Sequence, residues 1–299
     1  MDTQLDELRR LASGAESRRT ETGIPRVAMV QGEIPEHQLA AVYEPMVNLI
    51  LTGSKTMTVG EQTLHYDPAT YFVMSVDLPA AGTVHPSEDG RPYLALSLTL
   101  EPTIVANLLA DLPKPVGGEL YRPGFSVAPV TIELLDAWVR MLRLMERPEE
   151  VAALAPAYER EILFRVLQGP HGWMLRDIAA PGTALSRINI AIQWIRLHFT
   201  EPLRVERLAE MAALSVSAFH RHFKAVTALS PLQYQKRIRL LRARNLLIAG
   251  QGNTTSVAFG VGYESATQFS REYSRLFGLP PSKDALRLTR GMSAAIPAA

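Results

Sequence analysis

Between Ser215 and Leu247 the chain reads SVSAFHRHFKAVTALSPLQYQKRIRLLRARNLL, with histidines and basic residues set among aromatics on either side of a Ser-Pro step. Such residue types suit metal ligation by His220 and His222, hydrogen bonding to a polyanion by Arg221, Lys224 and the histidines, or plain solvation of an amphipathic helix. Spacing decides against the first: side chains two apart on a helix diverge by about 200° and cannot share a metal. Between Met46 and Leu100 there is no His-x-His of the kind a metal-dependent β-barrel enzyme uses, and His65 and His85 read as turn or strand histidines. Gly-x-Ser-x-Gly, a phosphate-binding glycine loop and His-Glu-x-x-His are also missing. The expectation is no metal, no cofactor and no enzyme chemistry.

Positioning these side chains requires helices with one buried face. Phe219 and Phe223, four apart, place Ser217, His220, Arg221 and Lys224 on the outer face of one helix. The arrangement recurs: VERLAEMAALSVSAFHRHFKAVTALSP is followed by TSVAFGVGYESATQFSREYSRLFGLPP. Each copy has a small residue where two helices must cross closely (Leu208-Ala209, Val257-Ala258), a turn plugged by Leu214 or by Gly262-Tyr263, and a Ser able to cap the next helix (Ser215, Ser265). In the second copy Phe269 and Tyr273 turn inward, leaving Thr267, Gln268 and Arg271 outward. Arginine suits guanine, Gln suits adenine, Ser and His can bond base edges, and Lys224 suits phosphate.

Charge divides along the chain in the same sense. From Thr183 onward there are 16 Lys and Arg against 6 Asp and Glu, a net of +10, whereas residues 1–182 hold 15 against 24, a net of −9. The helix between the copies, Pro231–Ala249, carries Lys236, Arg237, Arg239, Arg242 and Arg244, which either solvate an exposed face or meet phosphate; Arg237 and Arg239 are the candidates for phosphate. Phe219 and Phe269 lie 50 residues apart. A connecting helix of about 18 residues spans roughly 27 Å, approaching the roughly 34 Å between successive major-groove faces.

The acidic half reads differently. Leu5, Leu8 and Leu11 mark a helix, and from Met46 to Pro102 short β-rich runs alternate with turn signals at roughly ten-residue spacing, as in a small barrel or sandwich. Helices are expected over Pro102–Leu112, Val130–Glu146 and Ala157–Gln168, and the chain changes character near Pro181–Thr183. From there only helices are expected, Arg187–His198, Val205–Ala212, Ser217–Thr227, Pro231–Ala249, Thr255–Val261 and Ser265–Phe277, before a loose tail. There is no Cys, and no apolar run reaches the roughly 18 residues of a membrane span. These features fit a cytoplasmic protein.

LSVSAFHRHFK, SPLQYQKRIRLLRARNLL and VAFGVGYESATQFSREYSRLFGLPPS, within about Asn189–Leu286, resemble the two helix-turn-helix units and joining helix of AraC/XylS-type transcription regulators. Tyr263 replaces the commoner Phe, and SKDALR stands where Tyr-Arg often follows the final Pro. Upstream, YEPMVNLILTGSK, YDPATYFVMSVDLPAAG, RPYLALSLTL and REILFRVLQGPHG are similar to the cupin-like N-terminal domain of one branch of that family. The resemblance implies an α+β chain, with a cupin-like β-barrel and flanking helices over 1–182 for sensing or dimerisation and an all-α domain with two helix-turn-helix units over 183–299. It also implies binding of double-stranded DNA through the outward residues named above, an effect on RNA polymerase recruitment, and a small-molecule effector.

Val47, Leu49, Leu51, Tyr71, Val73, Leu96 and Leu98 line either an effector pocket inside the barrel or a dry core. Without a Cys, any effector binds non-covalently. The apolar stripes Ile132, Leu135, Trp138, Val139, Leu142 and Ile162, Leu163, Val166, Leu167 cover the barrel, pair two copies in a homodimer, or do both. The rival reading is a metal-free cupin binding protein or isomerase with a helical appendage.

Overall fold

The computed structural model describes residues 1–16, 19–32, 39–112, 122–179 and 182–294, without the side chains of 184 and 291–294. The first half builds two antiparallel sheets. One contains β1 (Thr20–Glu21), β2 (Val27–Gln31), β9 (Leu94–Thr99), β4 (Met46–Thr52), β7 (Thr70–Met74) and β10 (Phe125–Pro129) in that spatial order. The other runs β3 (Ala41–Tyr43), β8 (Leu78–His85), β5 (Ser54–Val59), β6 (Gln62–Tyr66). Gly53, at φ 74°, makes the sharp turn between β4 and β5; a Cβ there would lie 2.2 Å from the His85 carbonyl oxygen. Among the described residues the two sheets form a sandwich and do not close into the expected barrel.

Central β4 is buried along nearly its whole length, as a strand covered on both faces must be. One face packs under α1 (Asp2–Leu11), α2 (Pro102–Ala110), α3 (Ile132–Arg143), α4 (Val151–Gln168) and α5 (Gly172–Ala179). Val47, Leu49, Leu51, Tyr71, Val73, Leu96 and Leu98 all lie in this helix-covered core, buried with Trp138, Leu142 and Ile162. The proposed pocket set is thus corrected: these residues share one face, and it is the face turned away from the second sheet. Strand alternation shows which residues go together, but a shift of one residue exchanges the faces. The face turned to the second sheet carries Asn48, Ile50, Phe72, Met74 and Ala95. The helical stripes are spent on the sheet, with Ile132 alone of them 48% exposed.

The second half is helical: α6 (Ala184–Leu197), α7 (Val205–Met211), α8 (Val216–Thr227), α9 (Pro231–Ile248), α10 (Thr254–Gly260), α11 (Ala266–Phe277) and α12 (Pro281–Ala294). Sequence reading missed α12, which Pro281 opens. The first helix-turn-helix unit has no core of its own. Phe219, Phe223, Val226 and Tyr234 belong to one apolar cluster with Ile50, Met57, Phe72 and Leu78 of the sandwich, so the core runs across residue 182. The second unit has a separate cluster: Val257, Ala258, Tyr263, Phe269 and Tyr273, with Leu240 and Ala243 of α9.

Polar contacts reinforce the junction of sandwich and first unit. Buried Asp77 receives hydrogen bonds from Arg196 and Gln193, and its carbonyl accepts the Tyr234 hydroxyl at 2.6 Å. The Gly124 N–H donates to the Val226 carbonyl at 2.8 Å. Gly60 lies so close to Ala228 that a Cβ would come within 2.4 Å of its carbonyl oxygen.

Candidate nucleic-acid interface

Both units are built by the same local devices. In the first, α7 and α8 are joined through Ala213 at φ 53°, and the Leu214 N–H returns to the Ala209 carbonyl at 2.9 Å. In the second, Gly262 at φ 90° has that role, and the Tyr263 N–H returns to Ala258 at 3.0 Å. The backbone demands a left-handed residue in each turn, but only the second demands glycine on space: a Cβ on Gly262 would lie 2.3 Å from the Thr200 oxygen. Ser215 and Ser265 accept the N–H groups of Ala218 and Gln268, each at 3.3 Å, capping α8 and α11 as their spacing suggested. Ala228 and Gly278, both left-handed, end these helices.

Phe219, Phe223, Phe269 and Tyr273 are buried, which turns the remaining faces outward. Ser217, His220, Arg221 and Lys224 are exposed on α8, as are Thr267, Gln268 and Arg271 on α11. Gln268 also donates to Glu272 at 3.1 Å. Burial works against the charged form of Glu272, but bonds from Lys236, Gln268 and the Tyr263 hydroxyl outweigh it and hold the carboxyl below its usual range. That network orients the second reading face from beneath.

Arg237 and Arg239 have another job. Arg239 donates from Nε to the Phe199 carbonyl at 2.6 Å and from Nη2 to Glu201 at 2.9 Å, while Gln235 donates to the same two carbonyls. Together they satisfy the chain just beyond α6. Arg237 donates to the Gly60 carbonyl at 3.3 Å, across the junction with the sandwich. The phosphate role expected for this pair is corrected accordingly: their donors are spent on the protein's own backbone, with partners 40 and 177 residues away that no local pattern reveals.

Sequence reading also missed a polar cluster between the sheets. Lys55 is fully buried, pairs across the ladder with Tyr66, and sits 4.9 Å from the Tyr43 ring. Burial pushes its ammonium down to about 8. Among the described residues it has no carboxylate partner, and the Tyr66 hydroxyl and Asn48 Oδ1 are buried without hydrogen bonds. The signal available was a lone Lys in the alternating run SKTMTV. His65 and His85 flank Thr56 on the exposed side of β5, and among the described residues no cluster of three His, Asp or Glu is placed to hold a metal.

The buried ammonium carries a stability consequence. A lysine whose pKa falls on folding weakens the fold at low pH and ceases to do so as pH rises through its unfolded value. Between about pH 8 and 10.5 the stability of the protein is expected to rise on this account by about 3 kcal/mol. Lys55→Met lacks that rise, so in urea unfolding the gap between variant and wild type closes as pH goes from 7 to 10. A gap that stays constant contradicts the buried charge.

Two helix-turn-helix units bridged by one long helix, behind a two-sheet domain, define a class of bipartite transcription regulators. The family described as AraC-type transcriptional regulator N-terminus matches residues 23–174, and a helix-turn-helix domain family matches 208–286. The chain belongs to the AraC-type transcriptional regulators. The HTH-type transcriptional activator RhaS of Escherichia coli is 30% identical over 145 residues, 48% of this chain and 51% of that protein. RhaS of Escherichia fergusonii is 34% identical over 144 residues, 46% and 51% of the two chains. The chain thus spans about half the length of the curated relatives it matches. Among solved structures, apo ToxT from Vibrio cholerae superposes with a TM-score of 0.55 at 10% identity, over 91% of this chain and 100% of that one. ToxT bound to unsaturated fatty acid gives 0.53 at 11%, over 87% and 94%. This likeness concerns the fold. No helix among the described residues is long and apolar enough to cross a membrane.

Proposed function

We propose that the chain is a cytoplasmic, sequence-specific DNA-binding regulator of transcription, not an enzyme, with residues 183–299 reading double-stranded DNA and residues 1–182 sensing an effector. The observation that carries this is the exposure of two cationic helix faces, one per unit, above aromatics that fix their rotation. Ser217, His220, Arg221, Thr267, Gln268 and Arg271 read base edges, and Lys224 meets phosphate. The effector binds non-covalently between the sheets, where Lys55, Tyr66 and Asn48 hold unspent polar groups. Its influence passes to α8 through the shared core and the Asp77 contacts, altering RNA polymerase recruitment, in keeping with the activator RhaS among its relatives. A second copy pairs through exposed Ile190 and Leu197, seven apart on α6.

Salt decides between this reading and a metal-free binding protein or isomerase with a helical appendage. Each phosphate contact releases counterions, so duplex affinity of the full chain is expected to fall steeply with salt, log Kd changing in proportion to log salt. A flat titration, or no duplex binding at low salt, contradicts the regulator.

A further inference from the structure

A second candidate site lies outside the sandwich interior. Where β8 meets the helical half, a groove enclosing about 60 Å³ is lined by Ala80 and Ala81 of β8, Arg237 and Leu241 of α9, and Phe277 of α11, with Arg244 in its wall. That volume holds a few waters or a small ion. Arg244 is 1% exposed. Its Nε and Nη2 form a fork on Asp284, at 2.8 and 3.3 Å, and its guanidinium lies 4.3 Å from the Phe277 ring centre. The remaining nitrogen, Nη1, is buried with no hydrogen-bond partner among the described residues. A buried cationic donor left unpaired is costly, and costlier than a neutral one. Arg237 brings a second guanidinium, bonded only by Nη2 to Gly60 among the described contacts, and no acidic residue lines the groove.

We propose that this groove binds a small oxyanion, which accepts hydrogen bonds from Arg244 Nη1 and from the Arg237 guanidinium while its uncharged part rests on Ala80, Leu241 and Phe277. Carboxylates and phosphates share the required chemistry, since both accept paired bonds from a planar guanidinium. The walls come from β8, from α9 and from α11, so the bound anion ties the second helix-turn-helix unit to the sheet domain. Binding itself does not depend on the DNA reading; only that consequence rests on it.

Calorimetric titration of the full chain with sodium butyrate and with inorganic phosphate, against sodium chloride at matched ionic strength, tests the site. Saturable binding of at least one oxyanion is expected, and the stronger arm tells carboxylate from phosphate. Ala81→Leu fills the groove without deleting any polar contact and is expected to abolish that binding. Arg237→Gln is expected to weaken it at least about tenfold, and a melting temperature near that of wild type verifies that each variant is folded. Binding by neither oxyanion, or binding unaffected in folded Ala81→Leu, overturns the site. Oxyanion binding by a chain that fails to bind duplex leaves this site standing and removes the regulator reading alone.

Discussion

Arg221→Ala and Arg271→Ala are each expected to cost about 1 to 3 kcal/mol of binding to a selected operator, roughly five- to 150-fold in Kd, and to relax sequence preference at one half of the site only. Both side chains stand exposed on helices whose opposite faces are fixed by buried aromatics, so neither substitution removes a packing contact. The two losses differ in place. Arg221 is on the unit whose core merges with the sandwich, and Arg271 is on the unit with its own cluster, so each variant relaxes a different patch of the operator. Electrophoretic titration against operators randomised in one half at a time measures both effects. Unchanged affinity and unchanged preference in both variants contradict the assignment of the reading faces.

The largest effect on stability is expected at Asp284. Its carboxylate, 0% exposed, receives Arg244 Nε at 2.8 Å, the Tyr273 hydroxyl at 3.0 Å and Arg287 at 3.0 Å. Burial opposes ionisation of Asp284, but the bonds from Arg244, Arg287 and Tyr273 outweigh it and keep the carboxyl below its usual range. Asp284→Ala leaves a fully buried guanidinium without a counter-charge, which costs about 3 to 5 kcal/mol. The second unit is a small, separate cluster, so the loss is expected there first: in urea, α9 to α12 lose hydrogen-exchange protection ahead of the sandwich. A single cooperative transition shifted by less than about 1 kcal/mol sinks this account of the C-terminal anchor.

What the sequence discloses follows the range of the interactions. The paired aromatics, the serine caps and the turn residues are local, with partners three to five positions away, and they define both helix-turn-helix units. Alternation likewise groups Val47, Leu49 and Leu51 on one face, but which layer covers a face is a tertiary fact, and here helices cover it. Arg237 and Arg239 look like any solvated basic pair, because the carbonyls that hold them are distant in sequence. The same holds for Asp77 with Arg196, 119 positions apart. SKDALR, read as a departure from the family pattern, contains Asp284, and its importance appears only once Arg244 is seen to need it.

The central claim is that the faces of α8 and α11 enter consecutive major grooves on one side of a duplex. Hydroxyl-radical footprinting of the full chain on an operator selected from random duplexes addresses it most directly. Two protected patches one helical turn apart on the same side of the duplex, roughly 34 Å between centres, each weakened by one of Arg221→Ala and Arg271→Ala, are the expected result. A single protected patch, or two on opposite sides of the duplex, contradicts the claim.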